Sequence, residues 1–242
     1  MFTFNGISSD SFSVSVRDVK QPILPAYSLN LTTAPNKNGA FLSRTKRLEP
    51  KEIEVSIVVK ATSPSDLRTK IRSIAAWLYT DDVKPLVFSD EPDKMYQAII
   101  SGDTDIDEIL NFGEGTLKFI CPDPFAYGQA KTLSMPGSTL QFNYGGTVET
   151  YPVFTVDITG SILECKIANS KGEFVKVTDT FKSGDVVVVN TQTGKVTLNG
   201  ATRMNILDLD SDFFALKPGK NVLQITPAEY CNVSISFIEK WL

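Results

Sequence analysis

The first clear signal of a fold lies in residues 52–60, Glu52-Ile53-Glu54-Val55-Ser56-Ile57-Val58-Val59-Lys60. Every second residue from Ile53 to Val59 is aliphatic, whereas Glu54 and Ser56 stand between them. Because successive side chains of an extended chain point to opposite faces, this alternation predicts a β-strand with one wholly apolar face. Such a face needs a second layer to cover it, so the chain is expected to contain a packed sheet.

Two further strands and one helix are expected around this strand. Met95–Ser101 and Thr116–Ile120 carry strand patterns. Residues 64–79 show helical spacing instead, and Ser63 or Ser65 supplies the N-cap. The apolar stripe that should lie on the sheet consists of Leu67, Ile71, Ile74, Ala75 and Leu78.

The strand pattern of the chain is interrupted at residues 121–128, which are Cys121-Pro122-Asp123-Pro124-Phe125-Ala126-Tyr127-Gly128. Two prolines and a glycine in this short segment predict that neither a helix nor a central strand continues through it. We therefore expect a domain boundary near residues 128–132, with domains at 1–130 and 131–242.

The second half shows frequent strand patterns and no helical stripe. The expected strands are Pro152–Ile158, Asp185–Asn190, Lys195–Asn199, Val222–Thr226 and Asn232–Ile238. Residues 191–194 form a hairpin turn, residues 217–221 form another turn, and Val233, Ile235 and Phe237 share one face of the closing strand. Short strands at this spacing predict a β-sandwich.

The composition is that of a soluble globular protein. The 242 residues are 42% hydrophobic and 21% charged, with a formal net charge of −4. An acidic balance argues against a protein that grips the phosphate backbone, so no specific nucleic acid is expected as a partner. No apolar run approaches the ~20 residues of a membrane helix, and residues 1–6 do not read as a secretory signal, so membrane insertion is not expected.

The absence of histidine excludes several classes of active site. Ser-His-Asp and Cys-His nucleophile systems need an imidazole base, and many zinc and iron sites need imidazole ligands. The three cysteines, Cys121, Cys165 and Cys231, are too few and too scattered for a four-thiolate site. We therefore expect a protein without catalytic residues, metal or cofactor, whose thiols are buried in a reducing compartment.

One segment imitates a calcium-binding loop. Residues 103–114 carry acidic side chains at the first, third, fifth and twelfth positions. Glu108 occupies the sixth position, where such a loop needs glycine, and the flanks read as strands rather than helices. The pattern therefore favours a solvated acidic hairpin.

Two charge clusters suggest a contact between copies of the chain. The basic cluster consists of Arg44, Lys46, Arg47 and Lys51. Residues 81–114 hold ten acids, of which Asp103, Asp105, Asp107 and Glu108 are the principal interface candidates. Opposite charges on two edges of one chain suit a head-to-tail contact that closes into a ring, although two unrelated solvated loops would give the same pattern.

The order of these pieces resembles the siphophage distal tail protein family over nearly the full chain. The most specific matches are residues 84–93, Lys84-Pro85-Leu86-Val87-Phe88-Ser89-Asp90-Glu91-Pro92-Asp93, and residues 119–127 ending in Pro122-Asp123-Pro124-Phe125-Ala126-Tyr127. The opening Phe4-Asn5-Gly6, the helix end Ala76-Trp77-Leu78, and in the second half Tyr151-Pro152-Val153 and Phe213–Asn221 are also similar to the family.

The resemblance implies an architecture and a role. The first domain would be a tail-tube-like β-sandwich or barrel with one packed helix, and its copies, monomeric before assembly, would form a hexameric ring. The second would be a jelly-roll sandwich, like those of galectins and carbohydrate-binding modules, projecting outward. The partners would be the tail tube protein, tail-tip or baseplate components and receptor-binding proteins. The protein would sit at the virion tail tip after assembly in the host cytoplasm.

Two other classes of function remain open. A carbohydrate-binding module would use exposed aromatic rings to hold host cell-wall sugar, and the candidates are Tyr144, Tyr151, Tyr230 and Trp241. At least two of these rings should then be exposed around one groove. A wall hydrolase is the third class, but no pair of acids in the sequence is marked out for that chemistry.

Overall fold

The computed structural model describes residues 1–28, 31–36, 38–42, 47–102, 106–109 and 112–242, with the backbone alone for 42, 106–109 and 112. Contacts divide the chain into two compact units, Met1–Tyr127 with Leu242 and Gly128–Trp241. The mainly β class expected from the sequence is confirmed, because antiparallel strands run through both units and the described residues contain a single α-helix.

The described residues of the first unit form twelve complete strands, one α-helix and a short 3₁₀ turn at Ser9–Phe12. The strands are β1 Phe2–Phe4, β2 Ile7–Ser8, β3 Val14–Lys20, β4 Tyr27–Ser28, β5 Leu31–Thr32, β6 Phe41–Leu42, β7 Arg47–Leu48, β8 Lys51–Lys60, β9 Lys84–Phe88, β10 Met95–Ile100, β11 Ile106–Ile109 and β12 Phe112–Cys121. The helix α1 spans Pro64–Leu78. The three strands expected from the sequence are confirmed as β8, β10 and β12.

Strand β8 is the centre of the first unit. It lies antiparallel between β3 and β12, so that Val59 faces Val14 on one side and Gly113 on the other. Its alternate residues Ile53, Val55, Ile57 and Val59 are all buried, as the sequence pattern predicts. From β12 the pairing continues through β10, β9 and β1 to β2.

Strands β11 and β12 form the hairpin that the sequence favours over a calcium loop. Ile109 is paired with Phe112, and Ile106 with Gly115. No cluster of three or more acidic or thiol side chains suited to a metal ion occurs among the described residues.

Helix α1 begins where the sequence predicts. Ser63 is the N-cap, and its hydroxyl accepts a hydrogen bond of 3.1 Å from the Asp66 amide. The buried side of the helix differs from the expected stripe, because Ala75 is exposed and Trp77 is buried. The correction has a physical reason, since the large indole recruits aromatic partners from other elements and draws that turn of the helix toward them.

The indole of Trp77 lies at the centre of an aromatic cluster in the core of the first unit. It stacks on Phe12 at a centroid separation of 4.7 Å and on Phe2 at 5.6 Å, and it meets Phe4 edge-on at 6.3 Å. Its Nε1 donates a hydrogen bond of 3.1 Å to the carbonyl oxygen of Phe4. The helix is thereby fixed to the opening strand of the chain.

The second unit contains nine complete strands and a 3₁₀ turn at Met204–Ile206. The strands are β14 Thr139–Tyr144, β15 Val153–Ile158, β16 Ile162–Asn169, β17 Phe174–Phe181, β18 Val186–Asn190, β19 Lys195–Leu198, β20 Ala201–Thr202, β21 Gly219–Thr226 and β22 Cys231–Trp241. Strand β13, Ala126–Ser134, begins in the first unit and ends in the second.

Two local expectations need correction. Strand β13 begins at Ala126, inside the segment 121–128, because the second proline of that segment is Pro124 and the residues after it are free to extend. The expected turn at residues 217–221 is also shorter, since β21 starts at Gly219. Asn221 still closes the turn, because its amide donates to the carbonyl oxygens of Lys217 at 2.7 Å and of Gly219 at 3.0 Å.

The second unit is a sandwich of two antiparallel sheets. One sheet has the order β22-β15-β18-β19-β20 and the other the order β14-β21-β16-β17. A single apolar cluster between them includes Phe154, Phe181 and Ile235, each fully buried. The expected β-sandwich is therefore confirmed, and so is the hairpin at residues 191–194, where Asn190 pairs with Lys195. None of the described helical residues forms a segment long and apolar enough to cross a membrane.

Candidate interaction surfaces

A two-stranded arm leaves the first unit between β3 and β8. We call the described residues of this stretch, 21–28, 31–36, 38–42 and 47–48, the arm; its rungs are the pairs β4 with β7 and β5 with β6. The described part of the arm exposes large apolar side chains to an unusual degree: Ile23 is 93% exposed and Leu31 61%, with Leu24, Tyr27 and Phe41 also exposed. Ile23 and Leu24 are thus large aliphatic side chains that the core of the first unit does not enclose.

Of the basic cluster expected from the sequence, the structure describes Arg47 on the arm and Lys51 in β8. Arg47 is exposed in β7, where it is paired with Ser28. Arg44 and Lys46 lie outside the described residues. Lys51 differs from its neighbours, because only 3% of it is exposed.

The burial of Lys51 follows from its position in β8. It stands two residues before Ile53 and therefore points to the same inner face. Its Nζ lies 4.9 Å from the ring centroid of Tyr96, and Cys121 is its direct cross-strand partner. The exposed basic cluster therefore does not include Lys51, which is enclosed by its own unit.

Burial and neighbouring charges shift the pKa values of three groups in this cluster, Lys51, Tyr96 and Cys121. Burial lowers the pKa of Lys51, while Cys121 and Glu91 act in the opposite direction. Burial also raises the pKa of Tyr96 to about 12 and that of Cys121 to about 11. A thiol with a raised pKa is a poor nucleophile at neutral pH, so this cluster has the properties of a structural cation–π contact.

The acidic candidates are described only in part. Asp103 and Asp105 lie outside the described residues, and Asp107 and Glu108 are placed only as backbone positions of β11. Near them, Glu114 pairs with Arg17 at 3.0 Å within the same chain. Exposed acids on the loops of the first unit include Asp81, Asp82, Asp90 and Asp93.

The four aromatic candidates for sugar binding differ in how far their rings are exposed. Tyr144 is 1% exposed; its hydroxyl donates to the Val148 carbonyl at 2.7 Å and accepts from the Lys240 amide at 2.9 Å. Trp241 is half-buried, with its ring so close to Gly128 that a methyl group there would lie 2.9 Å from the indole. Tyr144 is therefore a core residue of the second unit, and the ring of Trp241 packs against Gly128.

Tyr151 and Tyr230 are exposed but do not share a groove. Tyr151 is 39% exposed and precedes β15, whereas Tyr230 is 44% exposed and its carbonyl accepts from the Thr159 amide at the far end of the same strand. At roughly 3.3 Å per residue the two positions are about 25 Å apart. The tyrosines therefore lack the shared platform that the sugar-binding hypothesis requires.

Two clefts lie among the described residues, one in each unit. A cleft of about 490 Å³ in the first unit is lined by Asp10, Lys60 and Lys70, among others. The ammonium of Lys70 donates to the carbonyl of Lys60 at 2.8 Å and lies 3.4 Å from Asp66. A cavity of about 50 Å³ in the second unit has room for little more than a water molecule.

What sequence reasoning missed is the apolar arm. Charges in residues 44–51 drew attention to this region, but the stronger surface feature is the run of exposed apolar side chains before them. Ile23 and Leu24 lie next to Pro22 and Pro25, outside any periodic pattern, and this was the available signal. An apolar pair between prolines packs poorly into a sheet and suits an exposed contact.

Two family models match this chain, each over a different stretch. Residues 10–121 match the phage tail protein RIFT-related domain, and residues 145–241 match the C-terminal domain of the siphovirus-type tail component. Both matches are to components of phage tails.

A full-length relative and a solved structure extend the match. The distal tail protein of Bacillus phage SPP1 is 30% identical over 233 residues, which cover 94% of this chain and 90% of that protein. The crystal structure of SPP1 Dit, described as a paradigm of the hub adsorption apparatus of phages that infect Gram-positive hosts, has a TM-score of 0.85 at 24% identity. The alignment covers 100% of this chain and 98% of that one. With the same fold and a relative that matches almost end to end, the chain belongs to the siphophage distal tail protein family.

Proposed function

We propose that this protein is the structural hub that joins the phage tail tube to the tail tip. Copies of the first unit form a hexameric ring, and the ring's lumen lets DNA pass. The second unit, with jelly-roll connectivity, holds receptor-binding or baseplate proteins. Assembly takes place in the host cytoplasm, and the protein then belongs to the virion tail tip.

The observation that carries the proposal is the arm. Its exposed apolar side chains, Ile23 and Leu24 above all, stand on a unit whose own core is complete. A second copy of the chain is the occupant that suits them, because in a head-to-tail ring every copy both offers its arm and receives one. The exposed apolar side chains of the arm are then covered in the closed ring.

The charges supply orientation for the same contact. Arg47 is exposed on the arm, and Asp81, Asp82, Asp90 and Asp93 are exposed on loops of the first unit. An arm that carries a cation toward an acidic loop docks in one register, and like-charge juxtaposition disfavours the others. Apolar burial provides most of the affinity, and the charges provide the choice of partner surface.

The mechanism is geometric rather than chemical. The described residues hold no cluster suited to a metal ion, and burial raises the pKa values of Tyr96 and Cys121, which keeps both groups protonated at neutral pH. The relatives are structural tail components, which is consistent with a framework that positions other proteins. A rigid sheet with one projecting contact is sufficient for that task.

Native mass spectrometry and light scattering test the ring over a wide range of protein concentration. The wild-type chain is expected to populate multiples of its 26.6 kDa mass as concentration rises. The double variant Ile23→Asp with Leu24→Asp should stay monomeric, because two carboxylates replace the apolar contact.

The matched control is Leu209→Asp, since Leu209 is 101% exposed on the second unit. It changes the same kind of residue at a site outside the arm and should assemble like the wild type. Circular dichroism must show both variants folded. A wild-type chain that is monomeric at every concentration, or an arm variant that assembles normally, would contradict the proposal.

A further inference from the structure

Two of the three cysteines meet inside the second unit. Cys165 lies in β16 and is 2% exposed; Cys231 is the first residue of β22 and is 6% exposed. Strands β16 and β22 belong to the two different sheets of the sandwich, and both cysteines belong to the same apolar cluster. The two thiols therefore approach each other across the core, from 66 residues apart in the sequence.

The two side chains are in direct contact. The thiol of Cys165 is hydrogen-bonded to the sulfur of Cys231, and this bond raises the pKa of Cys165 and lowers the pKa of Cys231. The opposite directions have one cause: Cys165 donates, so removing its proton breaks the bond, whereas a thiolate at Cys231 is a better acceptor. Both residues are free thiols in the structure.

We propose that Cys165 and Cys231 are an oxidation site, at which the two thiols close into an inter-sheet disulfide when the folded protein meets a peroxide. In antibody domains, a disulfide joins the two facing sheets of a β-sandwich in the same way. Reducing conditions inside a cell keep the pair open, and an oxidising medium outside favours closure.

The two cysteines have different roles in the oxidation. The thiolate of Cys231 attacks one oxygen of hydrogen peroxide; the O–O bond breaks, and with one proton the products are a sulfenic acid on Cys231 and water. The sulfur of Cys165 then attacks the sulfur of Cys231, the S–O bond breaks, and the released hydroxide takes the Cys165 proton as a second water. Two thiols lose two electrons and two protons in total, and the peroxide accepts them.

Cys231 is the attacking residue for two independent reasons. It is the more exposed of the pair, so a molecule as small as peroxide reaches it first. It also accepts the hydrogen bond, which favours its thiolate form. Cys165, more deeply buried and holding its proton, is suited to resolve the sulfenic acid rather than to form it.

Cys121 provides an internal control. It is fully buried in the first unit, burial raises its pKa to about 11, and its cross-strand partner is Lys51 rather than a cysteine. Peroxide should therefore leave its thiol unchanged while the other two disappear.

The test is the intact mass of the wild-type chain after peroxide treatment, followed by alkylation in denaturant. The expected product has lost about 2 Da and takes up a single alkyl group, on Cys121; a reductant restores all three alkylations. The melting temperature of the oxidised protein should rise by roughly 5 °C or more, because the bond closes a long loop.

Trapping with dimedone assigns the two roles. In Cys165→Ser, the sulfenic acid on Cys231 has no partner and should accumulate as a dimedone adduct; Cys231→Ser should give at least about tenfold less adduct at Cys165. Should either variant fail to fold, dimedone added to the wild type during oxidation reports the same assignment by peptide mapping.

Several results would overturn the proposal. Three alkylated cysteines after treatment would show that no bond forms, and cross-linking through Cys121 would show that the wrong thiols react. A 165–231 bond that appears only in urea would show that the folded sandwich does not allow closure. An adduct found mainly on Cys165 would overturn the assignment of the attacking residue.

Discussion

Nε1 of Trp77 donates a hydrogen bond to the carbonyl oxygen of Phe4 across a separation of 3.1 Å in the core of the first unit. The bond joins the last turn of helix α1 to the first strand of the chain. Because both groups are buried, neither has water as a substitute partner. The contact therefore contributes stability and also sets the orientation of the helix on the sheet.

Replacing Trp77 tests this connection directly. Trp77→Phe keeps an aromatic ring but leaves the Phe4 carbonyl without its donor, and should lower the free energy of unfolding by about 1 to 3 kcal/mol. Urea unfolding followed by circular dichroism measures the change. Tyr79→Ala, at a residue that is 78% exposed, should change the same quantity by less than about 0.5 kcal/mol. Equal effects of the two substitutions would refute the role of the hydrogen bond.

Gly146 is required where the chain passes Tyr144. A methyl group at residue 146 would lie 2.5 Å from Tyr144 Oη and 2.6 Å from the carbonyl oxygen of Lys240. Gly146→Ala should therefore displace the tyrosine from its two hydrogen bonds and lower the free energy of unfolding of the second unit by at least about 2 kcal/mol. Gly102→Ala, where a methyl group meets nothing within 4 Å, is the matched control in a melting experiment. A stable Gly146→Ala protein would contradict the close packing.

Asp66 makes the start of helix α1 sensitive to acid. Its carboxylate accepts hydrogen bonds from the Thr62 amide at 2.9 Å and the Thr62 hydroxyl at 3.1 Å, and the amide bond is the main reason why its pKa is lowered from 3.8. A lowered pKa means that the contribution of Asp66 is complete above pH 3.8 and is lost as pH falls through the folded-state pKa.

The comparison of wild type with Asp66→Asn isolates this contribution. The wild type should melt at a higher temperature than the variant at pH 7, and the difference should shrink toward zero near pH 2. Asp81→Asn, on an exposed loop, should show no comparable pH-dependent difference. A gap between wild type and Asp66→Asn that stays constant down to pH 2 would disprove the interpretation.

Arg47 tests the charge component of the proposed ring. Arg47→Glu should shift assembly to higher protein concentration, because the arm would then carry a like charge toward the acidic loops. Sedimentation at increasing salt should show wild-type assembly weakening as the screening length falls from about 10 Å at 0.1 M toward about 3 Å at 1 M. Lys195→Glu, on an exposed strand of the second unit, should assemble as the wild type does. Salt-independent assembly would remove the charges from the contact while leaving the apolar arm in place.

The sequence predicts elements whose burial is decided locally. Ile53 to Val59 alternate strictly, and every one of the expected inner residues is buried in β8. The closing strand behaves in the same way, with Val233, Ile235 and Phe237 buried. In both cases the pleat alone assigns each side chain to a face, so the pattern needs no knowledge of the partner strand.

Trp77 and Ala75 show where local reasoning ends. Both lie within one turn of the expected stripe, and the choice between them depends on Phe2, Phe4 and Phe12, which come from distant parts of the chain. Helical spacing alone favoured Ala75. The aromatic cluster, which no periodicity reveals, favours Trp77.

The assignment of Lys51 to the exposed basic cluster is wrong, and the alternating pattern of the strand could have prevented this error. Its charge placed it with Arg44, Lys46 and Arg47, but its position two residues before Ile53 already assigned it to the inner face of the strand. The structure follows the position, and the ring of Tyr96 compensates the buried cation. The apolar arm was missed for the opposite reason, since its signal, Ile23 and Leu24 between Pro22 and Pro25, belongs to no periodic pattern.

The pairing of β15 with β22 also determines when the second unit can fold. Val153 lies opposite Ser236, so a strand near the start of the sandwich receives one of its two neighbours only after nearly all of the sandwich sequence has been synthesised. During translation the nascent chain therefore exposes an unpaired edge of β15 until β22 has been synthesised, and an unpaired edge of this kind is prone to aggregate. Production of this protein at reduced temperature, with slower aggregation of unfinished chains, should consequently improve the yield of the folded form.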